Sequence, residues 1–434
     1  MISPKNQKSM TTHTILDELT WRGQVHDFTP GLVEALAKDS VTLYSGFDPT
    51  ADSLHVGSLV PIMGLVRFQQ AGHKPIALAG GGTGLIGDPS GKSAERQLLT
   101  LEQVNANVEG IKRILERYLD FSGAYAAQLV NNVDWLKEIS ILEFLREVGK
   151  HFTINAMMGK ESVQRRIETG ISYTEFSYQL LQARDYLELF DRYGCSLQIG
   201  GSDQWGNITA GIDLIRRTRS QPAYGVTFPL VTKADGTKFG KTEQGNVWLT
   251  EDRTSAYEFY QFWFNTNDQD VARYLKCFTF LGQEEIAALE HELQAHPDQR
   301  TAQKKLAAEL TAFIHGPTAL EQALQASRIL FGEAITDISE ATLLTIFQDT
   351  PSSDISASLF TDGEASIVDL VVAAGLAPSK GEARRTIQGG GIYFNNVRVA
   401  APQERISRER FVSGRYGVLR KGVKNYHLVR IQAE

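Results

Sequence analysis

The sequence predicts an α/β protein in which a parallel sheet covered by helices is followed by an all-helical domain and a small basic α+β module. Three observations carry this expectation. In residues 15–232, β-branched runs alternate with helical stretches, the pattern of a parallel sheet. Over roughly 251–347 apolar residues recur at helical spacing, as in Ile286, Leu289, Leu293 and Leu306, Leu310, Ile314, without strand runs. Finally, residues 366–434 hold 12 Lys/Arg against 5 Asp/Glu, giving +7 in a chain whose total is −7 and leaving −14 for the rest.

Taken in order, residues 1–14 are polar with scattered lysines, and are expected to be a disordered extension with no recognisable signal or transit peptide. Strands are expected at 41–47, 75–80, 128–133, 196–199 and 226–231. Ser140/Glu143 and Ser172/Glu175 fit the Ser-x-x-Glu capping box that opens helices. In such sheets ligands bind beyond the carboxyl ends of the strands, so motifs that follow strands carry most weight. A glycine-punctuated loop opens the helical domain, 233–349. Residues 350–365, rich in Ser, Asp, Thr and Gly, read as a linker. The module 366–434 then reads as helix, turn, helix and a hairpin at Asn395-Asn396, with Ser379/Glu382 as another capping box.

Composition narrows the function. A chain of 434 residues suggests two to four domains at roughly 150 residues each. No apolar run approaches the roughly 18 residues that span a bilayer, so no membrane partner is expected. The only cysteines, Cys195 and Cys277, cannot build a disulfide framework or a four-thiolate zinc site. A cytoplasmic protein with no structural metal is the expectation. The basic module points to a polyanion, because neutralising phosphates releases counterions, although a solvated charged surface fits the same count.

Three nucleotide motifs nearly fit. Gly82-Thr-Gly84-Leu-Ile-Gly87 matches the dinucleotide fingerprint, but Asp88-Pro89-Ser90-Gly91 is a turn where a helix should open, and no acidic residue closes a following strand about 20 positions on. Gly91-Lys92-Ser93 and Gly240-Lys241-Thr242 resemble the end of a P-loop, yet Ile86 and Asp235 stand where its leading glycine is needed. A dehydrogenase and a P-loop NTPase are both set aside.

Two other segments fit better. After the strand 41–47 comes Asp48-Pro-Thr50-Ala-Asp-Ser-Leu-His55-Val-Gly57-Ser58 and then a helix, which places His55 at a helix N-terminus suited to an anion. A capping turn with an incidental histidine fits equally. The loop Lys233-Ala-Asp-Gly236-Thr-Lys238-Phe-Gly240-Lys241-Thr242 offers two lysines three apart, able to close over a triphosphate, or else an exposed Asp-Gly turn.

Together these segments resemble the signatures of the class I aminoacyl-tRNA synthetases, His-Ile-Gly-His and Lys-Met-Ser-Lys-Ser. His55-Val-Gly-Ser58 and Lys238-Phe-Gly-Lys241-Thr242 correspond to them in the same order. Ser58 departs from the family's second histidine or asparagine. The runs from Tyr44 to His55, Thr83 to Gly91 and Gln198 to Asn207 extend the resemblance to the tyrosine-specific bacterial branch over nearly the whole chain.

The resemblance implies a Rossmann-type catalytic domain. It also implies ATP with Mg2+ as substrate, L-tyrosine and tRNA as partners, a homodimer, and no role in binding DNA. By resemblance, Thr50, His55, Lys238, Lys241 and Thr242 are catalytic. ATP contacts Asp48, His55, Gly57, Ser58, Asp203 and Lys241. Tyr178, Gln182 and Asp185 fall at i, i+4 and i+7, so they share one helical face. That face is a solvated stripe on residue types alone. The resemblance makes it the amino-acid pocket, with Asp88, Tyr178 and Gln182 around the ammonium, Tyr44 and Asp185 at the phenol, and Gln204 near the carboxyl. The run from Ser379 to Arg385 resembles an S4 RNA-binding domain, implying tRNA contacts at Lys380, Arg384 and Arg385. The tryptophan enzyme is the nearest rival, and the Tyr44/Asp185 pair and the RNA module favour tyrosine. A synthetase scaffold that has lost catalysis is opposed by the presence of His55 and the lysines.

Overall fold

A computed structural model describes residues 14–90, 98–167, 170–237, 239–242, 245–336, 338–348 and 350–432, with side chains at 241–242 left out. The expected extension 1–14 (except Thr14), Gly91-Lys92-Ser93 and Lys238 therefore lie outside the described residues. The chain forms two compact units, 1–315 and 316–434. Among the described residues no helix is long and apolar enough to cross a membrane.

The first unit is built on a six-stranded sheet of β1 (Asp27–Phe28), β2 (Thr42–Phe47), β3 (Lys74–Ala79), β4 (Gln128–Asn131), β5 (Cys195–Gly201) and β6 (Tyr224–Phe228). Their spatial order is β1-β6-β5-β2-β3-β4. All pairs are parallel except β1 with β6. β3 is a nearly continuous apolar run, Ile76-Ala77-Leu78-Ala79, buried on both faces as a helix-covered parallel sheet requires. Helices Leu59–Gln70, Tyr173–Tyr193 and Trp205–Arg219 follow β2, precede β5 and follow β5.

Four further helices, Ala256–Phe264, Asp268–Phe278, Gln283–Ala295 and Thr301–His315, complete this unit. The helical domain expected at 233–349 is thus divided. Helices Pro317–Leu330 and Glu340–Ile346 belong to the second unit, where Ile329, Ile335, Leu343 and Phe347 share a core with Tyr416, Val418 and Leu428. Helical periodicity identifies which face is apolar but not which sheet covers it.

The second unit carries a five-stranded sheet. Its edge strand, Ser352–Ile355, pairs in parallel with Asn425–Ile431. Residues 350–365 are therefore not a linker. Their polar composition reflects an edge strand, with only Ile355 turned fully into the core. Helices Ile367–Ala373 and Lys380–Gln388 and the hairpin Ile392–Phe394/Val397–Arg398 follow as the sequence suggests. Asn395 and Asn396 take φ of 48° and 64°, the two positive values of a type I′ hairpin turn. The Asn396 amide also donates to the Ile329 and Glu333 carbonyls at 2.7 and 2.8 Å, fastening the hairpin to helix Pro317–Leu330.

Candidate active site

β2 and β5 are neighbours, and the chain builds outward from them in opposite directions, through β3 and β4 on one side and β6 on the other. The crevice at their carboxyl ends is the topological switch point where such sheets bind ligands. Asp48 follows β2 there, and the turn Ser202–Gln204 follows β5.

Asp48 joins three elements. Its Oδ1 accepts from the Thr83 hydroxyl at 2.8 Å, and its Oδ2 accepts from the Tyr178 hydroxyl at 2.9 Å. Burial, with the Asp48 carboxylate next, holds the Tyr178 phenol well above its usual range, so it remains a donor. Tyr178 lies on helix Tyr173–Tyr193, which Ser172 caps by accepting from the Glu175 N–H at 3.2 Å. The reciprocal half of the expected capping box is replaced. Glu175 instead pairs with Arg166 at 2.9 Å, both side chains being buried.

One turn on, Gln182 enters a polar cluster. Gln204 Nε2 donates to Asp88 Oδ2 at 2.7 Å, Gln182 Nε2 donates to Gln204 Oε1 at 3.3 Å, and Asn207 Nδ2 reaches Gln182 Oε1 at 3.2 Å. The second Asp88 oxygen accepts from the Ser90 N–H at 2.9 Å. An anchored carboxylate ringed by amides is suited to a ligand ammonium.

A further turn along, Asp185 is fully buried and accepts from Trp135 Nε1 at 2.7 Å and Asn132 Nδ2 at 2.9 Å. Burial raises its carboxyl to about 7 against those two hydrogen bonds. Tyr44 on β2 is 1% exposed, and among the described residues its hydroxyl has no hydrogen-bond partner. Burial and then the Asp185 charge keep that phenol well above its ordinary range. A buried, unpaired hydroxyl costs about 1–3 kcal/mol, so one within the field of a buried carboxylate is suited to a ligand's polar group.

His55 caps the turn Val56–Ser58 that leads into helix Leu59–Gln70, and its Nδ1 accepts from the Gly57 N–H at 3.0 Å. Gly57 also sits tight against the histidine ring. A Cβ there would lie 2.7 Å from the His55 ring. The lysine segment meets this turn through backbone pairing: Val56 N–H donates to the Val247 carbonyl at 2.9 Å and Leu249 N–H to the Leu54 carbonyl at 2.8 Å. Gly240, at φ 79°, packs so closely that a Cβ would meet Val56 at 2.9 Å. The backbone of Lys241–Thr242 forms a short strand beside Gly245–Asn246. The structure therefore brings the two signature segments, 180 residues apart from Ser58 to Lys238, into contact through Gly240 and Val56.

Thr50 is exposed, and Ser58 and Asp203 are half-buried. In the second unit Arg384 and Arg385 are exposed on helix Lys380–Gln388, while Lys380 pairs with Asp369 at 2.7 Å. Asn132 and Trp135 are site residues that the sequence does not single out, and Thr83 and Asn207 stand there only as members of the runs that carry the resemblance. Asn132 and Trp135 directly follow β4, so the strand-end rule was a usable signal. The fingerprint-like Gly82–Gly87 run forms a single 3-10 turn, Thr83–Leu85, and opens no helix.

The chain matches one family model, tRNA synthetases class I (W and Y), over residues 36–332, and belongs to that family. A second model, the tyrosine–tRNA ligase SYY-like C-terminal domain, matches residues 343–429. Within the family the chain groups with the tyrosine–tRNA ligases. That of Roseiflexus castenholzii is 55% identical over 96% of this chain and 99% of its own. Tyrosine–tRNA ligase 1 of Bacillus subtilis is 51% identical over 96% and 99%. A C-terminally truncated mitochondrial tyrosyl-tRNA synthetase from Aspergillus nidulans superposes with TM-score 0.66 at 33% identity, covering 73% of this chain and 94% of its own. The tryptophanyl enzyme of Encephalitozoon cuniculi, at 13% identity and TM-score 0.51, covering 71% and 87%, shares the fold.

Proposed function

We propose that this chain activates L-tyrosine with magnesium-bound ATP and transfers the tyrosyl group to tRNA, using the switch-point crevice for both steps. The observation that carries the amino-acid choice is the buried Tyr44 hydroxyl beside Asp185. There the substrate phenol donates to the Asp185 carboxylate and accepts from Tyr44. Phenylalanine leaves these groups unpaired, at about 1–3 kcal/mol each, and the indole of tryptophan offers Tyr44 no acceptor. Asp88, Tyr178 and Gln182 take the ammonium, and Gln204 lies toward the carboxyl.

In the first step a tyrosine carboxylate oxygen bonds to the α-phosphorus while the bond to the bridging oxygen breaks and pyrophosphate leaves. Thr50, His55, Lys238, Lys241 and Thr242 stabilise the charge building on the phosphates, by position and electrostatics alone. Asp48, Gly57, Ser58 and Asp203 hold the nucleotide. In the second step a hydroxyl of the terminal tRNA ribose attacks the acyl carbon and AMP leaves. Pyrophosphate exchange with tyrosine, tryptophan and phenylalanine tests the reading. Exchange with tyrosine alone is the expected result, and exchange with tryptophan instead would overturn it.

The second unit is read as the S4-like tRNA-binding module, gripping phosphates through exposed Arg384 and Arg385 with Lys380 beside them. Removing residues 316–434 is expected to leave pyrophosphate exchange within about 2-fold while tRNA charging falls roughly 100-fold or more. A parallel loss of both activities contradicts the assignment. The cut belongs after His315, because one after Ala365 would leave Ile329, Leu343 and Phe347 without their covering strands. The homodimer is favoured by exposed Ile141, Leu142, Leu145 and Ile154, an apolar face that a second copy would cover. A cytoplasmic location is consistent with two free, buried cysteines.

A further inference from the structure

Helix Asp268–Phe278 belongs to neither signature segment, yet it grips the lysine loop at several points. Asp270 Oδ2 accepts from the Ala234 N–H at 3.0 Å. Arg273, paired with Asp270 at 2.7 Å, donates to the Thr232 carbonyl, and the Tyr274 hydroxyl donates to that same carbonyl at 3.2 Å. Burial, then the Asp270 charge, pushes Tyr274 up to about 12, which keeps its proton in place. Beyond the Asp235-Gly236 turn, Phe239 stacks on Phe278 with centroids 5.3 Å apart and planes 11° apart. The edges of Tyr274 at 5.1 Å and Phe262 at 6.0 Å, with a tilted Trp263 at 5.8 Å, complete an aromatic box around it. The backbone is thus fixed on both sides of Lys238 in sequence, and two residues before Lys241.

The other end of the same helix is tied to the histidine segment. The carbonyls of Lys276, Cys277 and Thr279 accept from Arg67 at 3.3, 2.8 and 2.9 Å. Arg22 adds bonds to Lys276, Thr279 and Leu281 at 3.0, 3.2 and 2.8 Å. Guanidinium groups at a helix C-terminus satisfy its orphan carbonyls and its negative dipole end. Arg67 is 4% exposed and lies on helix Leu59–Gln70, the helix that His55 and its turn lead into.

We infer that helix Asp268–Phe278 is the positioning strut that sets the lysine loop relative to the histidine turn, with Phe239 and Tyr274 as its positioning residues. Neither residue touches the reacting atoms. They act through Lys238 and Lys241, so the inference rests on the proposed role of those lysines. An aromatic ring held on several sides fixes the loop where single backbone hydrogen bonds would leave it free to shift, and a displacement of about 1 Å costs roughly 100-fold in rate.

The test is a mutant cycle read by single-turnover adenylate formation in the full chain. Phe239→Ala is expected to slow the step about 10- to 100-fold with the tyrosine dissociation constant unchanged. Phe239→Met, which keeps an apolar anchor, should recover most of the rate. In a Lys238→Ala/Lys241→Ala background the Phe239→Ala loss should shrink to about 2-fold or less, because the groups it positions are gone. Tyr274→Phe, which keeps the ring and removes the bond to Thr232, should follow the same pattern with a smaller loss. Equal losses in both backgrounds, or weakened tyrosine binding in step with the rate, would overturn the strut. Should removal of the lysines alone leave the rate unchanged, the lysine reading fails before the strut is tested.

Discussion

The polar pocket along helix Tyr173–Tyr193, proposed to take tyrosine, and the lysine loop are built in opposite ways. Pocket groups are buried and bonded to one another: Asp185 to Trp135 and Asn132, Asp88 to Gln204, Asp48 to Tyr178 and Thr83. The loop is punctuated by Gly236, Gly240 and Gly245, all at positive φ, and is held at its edges by Phe239 and by backbone pairing. Selecting a phenol requires donors and acceptors that cannot re-aim, which burial enforces. Stabilising a departing pyrophosphate requires cations brought to where charge develops, which a loop anchored at a few points can do.

Substitutions can break this division of labour. Lys241→Ala should remove about 2–4 kcal/mol of transition-state stabilisation, slowing adenylate formation roughly 30- to 1000-fold, with tyrosine affinity unchanged in equilibrium binding. A loss of tyrosine affinity as large as the loss of rate would erase the distinction between the two regions.

A smaller effect comes from pH. Asp185 titrates near 7 in the folded protein, against about 4 for a free aspartate. Between these values the folded state holds a proton that the unfolded state has released. This group's contribution to stability is therefore fully present below about pH 4 and is lost as pH rises through about 7. Tyrosine binding should run the other way, because the phenol donates to the ionised form. Its dissociation constant is expected to rise by up to about 10-fold for each pH unit below 7. Phenylalanine, with no hydroxyl to donate to the carboxylate, should show no such weakening as pH falls over the same range. Parallel pH profiles for the two amino acids would show that Asp185 does not face the ring substituent.

Much of this architecture is legible in the sequence, and the exceptions share a physical cause. Among the parallel strands β3 announces itself most clearly, because both its faces are buried and Pro75 to Ala79 read as an apolar run. The two-residue β1 and the polar strand Ser352–Ile355 do not, since each is ordered by its neighbour's ladder and not by its own pattern. Helical spacing placed Tyr178, Gln182 and Asp185 on one face, and the structure gives the three separate polar environments. Asn132, Trp135 and Asn207 acquire their roles only when β4 and helix Trp205–Arg219 are brought beside that face. No local pattern encodes such a meeting. The strut helix Asp268–Phe278 escapes for the same reason, because Arg67 and Phe239 reach it from about 200 and 40 residues away in sequence.

The central claim is that a pre-built phenol site selects tyrosine, and Tyr44→Phe tests it most directly. This substitution deletes a hydroxyl that has no partner among the described residues, so the thermal midpoint of the unliganded protein should not fall. The ratio of tyrosine to phenylalanine activation in pyrophosphate exchange should drop roughly 2- to 13-fold, the value of one hydrogen bond at 0.5–1.5 kcal/mol. An unchanged ratio, or a midpoint that falls while the ratio holds, would contradict the account.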